Sequence, residues 1–307
     1  MCMIGYNNNK LNNRKAKEKR SRKGGEYMAE EELRQDARTV EQIVDGMNLF
    51  DDDLMSMVFD GNIEATGLLL RIILKRDDIV VESVVGQREF QNPVVGGRNI
   101  RLDILAKDST GKNYNVEVQK KPEGAHIRRA RFNSSMMDSR MLKEGQEFSE
   151  LQDSYMVFIT QTDIFGYGIP IYTINRHFEE IDDLFDDGSH IIYVNGNYNG
   201  NDEIGKLMHD FGCKESKDMY YPELAKGVRH FKEEEGGRRI MSEIVEKYAE
   251  QLVEKYAEKL AETRIVEEKK ASARRMIARG KMTLEEIAED TDLPLEEIRK
   301  LAGLQLA

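Results

Sequence analysis

The chain has 307 residues, 39% of them hydrophobic and 34% charged, with a formal net charge of −11. That composition suits one or two water-exposed domains with real cores, and it argues against a protein that coats nucleic acid through bulk positive charge. No apolar run approaches the ~20 residues of a membrane span. Cys2 and Cys213 are too few and too far apart to suggest a disulfide framework or a thiolate metal site, so a cytoplasmic setting is expected.

The N-terminal stretch is polar and basic and lacks the apolar segment of a secretory signal. Residues 1–27 hold eight Lys/Arg against Glu18 and Glu26, a net of +6, so the rest carries −17. Residues 1–45 read as a disordered basic arm and lead-in, and Met28 is a plausible alternative start. "DDDLMSMVFDGNIEATGLLLRIILKRDD" has helical spacing through Leu54, Met57, Val58, Ile63, Leu68, Leu69, Ile72 and Ile73. Asp60-Gly61 breaks it and Asn62 caps the second helix, whose first turn carries Glu64. The plain role for Glu64 is to complement the helix dipole. "IVVESVVGQREFQNP" reads as a strand ending at Pro93.

"RLDILAKDSTGKNYNVEVQKK" reads as a hairpin around Ser109-Thr110-Gly111, with the glycine left-handed. Asp108 then faces Lys112, Asp103 faces Glu117 and Arg101 faces Gln119. Ile100, Leu102, Ile104, Ala106, Val116 and Val118 share one face, and Arg101, Asp103, Asn115, Glu117 and Gln119 the other. Like charges directly opposed destabilise a sheet. A divalent cation between them would remove the repulsion and supply a Lewis acid. On spacing alone, the plainer account is a solvated polar face that tolerates both acids.

"HIRRARFNSSMMDSRMLKEG" reads as a helix closed by Gly145, with Ile127, Ala130, Phe132, Met137, Met141 and Leu142 as its apolar side. Arg128, Arg131 and Ser135 form one stripe, which is either a solvated face or a phosphate contact. "SYMVFITQT", "IPIYTINRHF" and "HIIYVNG" read as strands, with "FEEIDDLFDD" as an acidic connector, and residues 202–211 and 222–233 as helices. A long charged helix follows, containing the octads "VEKYAEQL" and "VEKYAEKL". Eight residues advance ~80° past two turns, so the copies face different ways and a regular coiled coil is not expected. "MTLEEIAEDTDLPLEEIRKLAG" resembles a helix-turn-helix with a Thr283–Glu286 capping box. The acidic first turn of its second helix suits phosphates poorly, so it reads as a packing or partner module. The five histidines show no paired-ligand spacing, and no P-loop or nucleophile elbow occurs.

The stretches "DLMSMVFDGNIEATGLLLRIIL", "IRLDILAKDSTGKNYNVEVQ", "RRARFNSSMMDSRMLKEGQEFSEL", "FITQTDIFGYGIPIYTI" and the terminal "MTLEEIAEDTDLPLEEI" together resemble the PD-(D/E)XK nuclease superfamily. More narrowly, they are similar to its recombination-promoting nuclease (Rpn) and transposase family. The likeness spans residues 46–302. It implies an α/β (α+β) fold, with a mixed sheet flanked by helices and a C-terminal helical extension. The implied domains are a nuclease-like domain at 46–235, a long helix at 236–279 and a helix-turn-helix-like module at 280–307.

The resemblance also implies a metal-dependent DNA endonuclease, a deoxyribonuclease acting in recombination or mobile-element biology. By motif position, Asp103 and Glu117 would hold Mg²⁺ or Mn²⁺, with the Val118 carbonyl and Glu64 as further ligands. Gln119 stands where many relatives have lysine. A neutral amide cannot lend positive charge, but it can orient a water. Arg128 and Arg131 would contact DNA. A catalytically silent DNA-binding protein and an interaction scaffold are the alternatives. The charged C-terminal helix is a candidate homo-oligomer contact, and no membrane partner is expected.

Overall fold

A computed structural model describes residues 39–92 and 94–303. The basic arm, apart from residues 39–45, and Pro93 lie outside the described residues. The chain divides into two compact units, with the boundary between Ser242 and Glu243.

The first unit opens with three short helices, α1 (Val40–Gly46), α2 (Asp52–Phe59) and α3 (Ile63–Leu74). The break between α2 and α3 comes where the local chemistry puts it. Gly61 takes a left-handed φ of +64°, and the Asn62 side chain accepts the Ala65 amide at 3.0 Å. Strands β1 (Val81–Phe90), β2 (Ile100–Asp108), β3 (Asn113–Gln119), β4 (Ser154–Thr160), β5 (Ile171–Ile174) and β6 (Ser189–Asn195) follow. They form a six-stranded mixed sheet in the order β1-β2-β3-β4-β6-β5. The β1-β2-β3 meander is antiparallel, β3-β4 and β4-β6 are parallel, and β5 closes the far edge antiparallel to β6.

β4 is buried at every position, as a strand between two parallel neighbours must be. Helix α4 (Ile127–Asp138) packs on β2, β4 and β6, while α2 and α3 pack on β1. Helices α5 (Glu203–Gly212) and α6 (Pro222–Glu233) complete the core, which includes Phe59, Tyr114, Phe158, Tyr193 and Phe211. This mixed α/β architecture, a six-stranded mixed sheet flanked by helices with a C-terminal helical part, is consistent with the PD-(D/E)XK fold that the resemblance implies. Helix α7 (Glu235–Arg279) begins in the first unit and continues into the second.

The second unit continues with α8 (Leu284–Thr291) and α9 (Leu295–Leu301). The capping box is present, with Thr283 Oγ1 accepting the Glu286 amide at 3.2 Å and Glu286 Oε2 accepting the Thr283 amide at 2.8 Å. Ile287 and Ile298 pack on Ala273 of α7, flanked by Leu284, Ala288, Leu293 and Leu301. No helix among the described residues is long and apolar enough to cross a membrane.

Three elements differ from their sequence expectations. Val40–Gly46 is helical where a disordered lead-in is expected, and β5 covers only Ile171–Ile174 of the strand expected over "IPIYTINRHF". Helix α4 stops at Asp138 rather than reaching Gly145. Ser139 Oγ and Arg140 Nη1 both donate to the Met136 carbonyl, competing with the helix ladder. The Arg140 guanidinium also bonds the Gln91 carbonyl and lies 4.7 Å from the Phe90 ring centre, tying the chain to β1. The inward face of α4 is correspondingly Ala130, Asn133, Ser134, Met136 and Met137, and Ile127 and Phe132 are exposed.

Candidate active site

The β2-β3 hairpin has the register its turn dictates. Ile104 pairs with Val116, Leu105 with Asn115, Ala106 with Tyr114 and Lys107 with Asn113. Gly111 adopts φ +90°. Asp108 locks the turn: its Oδ1 accepts Thr110 N, Thr110 Oγ1 and Lys112 N at 2.9, 2.7 and 3.0 Å, and its Oδ2 accepts the Tyr114 hydroxyl at 2.7 Å. Burial alone would raise the Asp108 pKa, but the Tyr114 and Thr110 bonds outweigh it and hold it low.

The β2-β3 ladder runs out at Ile104–Val116. Beyond it β2 stays on β1 as far as Phe90–Ile100, and β3 stays on β4 as far as Gln119–Thr160. The sheet therefore opens between β2 and β3 at their acidic end. Asp103 fills the opening, its Oδ2 accepting the Val118 amide at 3.1 Å and the Gln119 side-chain amide at 3.4 Å. Oδ1 of Asp103 accepts no hydrogen bond among the described residues.

The solvated polar face does not form. Asp103 is 7% exposed, and Asn115 and Glu117 are fully buried. The cover comes from the short turn of helix Pro122–Ala125 and from α4. Glu117 Oε1 accepts from Asn115 Nδ2 at 2.9 Å, and Oε2 forms an ion pair with Arg129 Nη2 at 2.9 Å. Arg129 is anchored in turn by Nη1 donating to the Gly124 carbonyl at 3.1 Å.

Burial first, and then the Glu117 and Asp52 carboxylates, push the Asp103 carboxyl up to about 8. Burial also raises Glu117, against the opposing pull of Asn115 and Arg129. Two buried carboxyls beside a single guanidinium resist ionising together. Such an excess of buried negative charge is what a cation would neutralise.

The donors fit a hard divalent ion. They are carboxylate oxygens, one of them without a hydrogen-bond partner, joined to a side-chain amide suited to hold a water. Gln119 is held closely, because a Cβ built on Gly124 would lie 1.9 Å from its Oε1.

The structure brings Asp103, Glu117, Val118 and Gln119 together. It does not bring Glu64 to them: Glu64 is exposed in a shallow surface depression with Ile63, Gly67, Arg71 and Asp77. Acids from the N-terminus of α2 lie closer. Asp52 adds to the field on Asp103 and pairs with Arg101 at 3.3 Å, while Asp51 pairs with Lys120 at 2.6 Å. Burial and its acidic neighbours raise the half-buried Asp53. The sequence signal for these acids is the Asp51-Asp52-Asp53 triplet that opens α2.

Arg128 and Arg131 are exposed on α4. Arg129, between them in sequence, is the arginine that reaches the acids.

Residues 60–175 match the family model described as "PD-(D/E)XK nuclease family transposase". No curated protein and no solved structure matches the chain.

Proposed function

With a PD-(D/E)XK nuclease family transposase domain over residues 60–175 as the premise, we propose that this protein is a Mg²⁺- or Mn²⁺-dependent DNA endonuclease acting in recombination or mobile-element biology. The observation that carries the reading is the pair of buried carboxyls, Asp103 and Glu117, at the point where β2 and β3 part.

Asp103 and Glu117 would hold the ion, with the Val118 carbonyl a candidate third donor. When bound, the ion supplies a water of lowered pKa and polarises the phosphodiester. Gln119, hydrogen-bonded to Asp103 and backed by Gly124, orients the attacking water through its amide. Arg129 fixes the Glu117 carboxylate at the edge of the reacting group. Arg128 and Arg131 present free guanidinium forks to DNA phosphates on the outer face of α4. Residues 46–235 act as the nuclease domain, 236–279 as a helix for self-association, and 280–307 as a packing or partner module, with the basic stretch before residue 39 as a tail.

The test is DNA cleavage by the full chain with Mg²⁺ or Mn²⁺ against EDTA. Wild type cleaves only with metal, and Asp103→Asn and Glu117→Gln do not cleave. Cleavage that persisted in both variants would reject the assignment.

The ion pair between Arg129 and Glu117 favours a second reading, because a guanidinium already neutralises one of the acids. On that reading the protein binds DNA without cutting it, and it shows salt-sensitive binding with no cleavage under any divalent ion.

A further inference from the structure

Helix α5 ends in "HDFGC", and three donor-bearing side chains of this segment converge. Among the described residues, His209, Asp210 and Cys213 are the one group of three potential metal-binding side chains whose donor atoms all lie within 4.8 Å of one another. His209 and Cys213 are four apart at the C-terminal end of α5, which places them on one side of the helix. Cys213 Sγ lies 3.4 Å from His209 Nδ1, and that Nδ1 lies 3.2 Å from Asp210 Oδ1.

A tetrahedral Zn²⁺, with bonds of ~2.3 Å to sulfur and ~2.0 Å to nitrogen or oxygen, separates its sulfur and nitrogen ligands by about 3.5 Å and its nitrogen and oxygen ligands by about 3.3 Å. These two observed spacings match those separations within ~0.1 Å, and the Cys213 sulfur lies within 4.8 Å of an Asp210 carboxylate oxygen. The carboxylate is fixed before any ion arrives. Asp210 is fully buried, and its two oxygens accept the Tyr220 and Tyr221 amides at 2.8 Å each. A carboxylate offers about four lone-pair directions, so those two bonds leave room for a cation. The His209 ring is steadied edge-on by Tyr220, with centroids 4.8 Å apart.

We propose that His209, Asp210 and Cys213 form a second metal site, selective for Zn²⁺ or a similarly borderline-soft divalent ion and separate from the hairpin acids. One imidazole, one thiolate and one carboxylate suit zinc and disfavour Mg²⁺, which takes oxygen donors in octahedral geometry. On binding, the Cys213 S–H bond is exchanged for a sulfur–metal bond and the proton passes to buffer. His209 supplies its Nδ1 lone pair, and water takes the fourth position.

The site joins the end of α5 to the loop before α6, and the same end of α5 holds the segment that leads into α2, with Leu49 N donating to the Phe211 carbonyl at 3.1 Å. The sequence signal is His-x-x-x-Cys, His209 to Cys213.

The test uses Co²⁺ as a spectroscopic probe on the EDTA-treated full chain. Wild type, Cys2→Ser and Asp103→Asn should each bind about one thiolate-ligated Co²⁺, seen as a sulfur-to-cobalt charge-transfer band with intense tetrahedral d–d bands. Cys213→Ser and His209→Ala should lose that band. Zn²⁺ should displace the cobalt and raise the melting temperature of wild type but not of Cys213→Ser. Should a variant misfold, Zn²⁺ protection of Cys213 from alkylation in the wild-type chain gives the same answer. The absence of a thiolate band in wild type, its persistence in Cys213→Ser, or alkylation unaffected by Zn²⁺ would each overturn the proposal.

Discussion

Asp103→Asn should stabilise the metal-free protein while destroying its metal-dependent function. The wild-type carboxyl is raised to about 8 by burial, Glu117 and Asp52, whereas in the unfolded chain it titrates near the ordinary aspartate value of ~3.9. Between those values the unfolded state has released a proton that the folded state keeps. Stability therefore falls as pH rises from about 4 to about 8 and levels beyond. At pH 7 about 3 pH units of that interval have been crossed, at ~1.4 kcal/mol each, so the cost is at most about 4 kcal/mol. Asparagine is never charged, and its oxygen can still accept the Val118 and Gln119 donors that Asp103 Oδ2 serves. Thermal melts of both proteins in EDTA from pH 4 to 9 measure the effect. The variant should melt several degrees higher at pH 8, at roughly 2–4 °C per kcal/mol, and the gap should close by pH 4. Added Mn²⁺ should raise wild type alone. A variant that melted below wild type at pH 8, or a gap independent of pH, would refute the reasoning.

Asp108→Ala removes the three carboxylate bonds to Thr110 and Lys112 that hold the hairpin turn and strands the buried Tyr114 hydroxyl. It should cost about 3–5 kcal/mol in chemical denaturation. Gly124→Ala places a Cβ against the Gln119 amide. Because a flexible side-chain tip can shift, stability should fall by less than about 1 kcal/mol, while cleavage drops at least tenfold at saturating metal. Arg128→Gln with Arg131→Gln should weaken DNA binding alike for all sequences and reduce the salt slope by about 1 per lost phosphate contact, measured by fluorescence anisotropy at several salt concentrations.

The parts legible in sequence were those governed by local chemistry. The Ser109-Thr110-Gly111 turn set the hairpin register, Asn62 and Thr283 capped the helices they begin, and Asp60-Gly61 parted α2 from α3. What was hidden depended on contacts far along the chain. Period-two alternation put Asp103, Asn115 and Glu117 on a polar face but held no information about α4, which buries that face. The choice between Arg129 and its neighbours turns on how α4 is rotated, and Ile127 and Phe132 point to a different apolar side from the one that packs. The end of α4 depended on Arg140 reaching β1. Glu64 shared the expected neighbourhood in sequence, yet the turn at Gly61 sends its helix away from the acids, leaving Asp52 nearer.

The most direct measurement of the central claim is Mn²⁺ binding to the full chain, followed by electron paramagnetic resonance across pH 6 to 9. If Asp103 and Glu117 form a cation site, affinity strengthens as pH rises toward about 8, because protons compete for Asp103, and Asp103→Asn and Glu117→Gln each abolish it. Mn²⁺ binding that was independent of pH and intact in both variants would contradict the account.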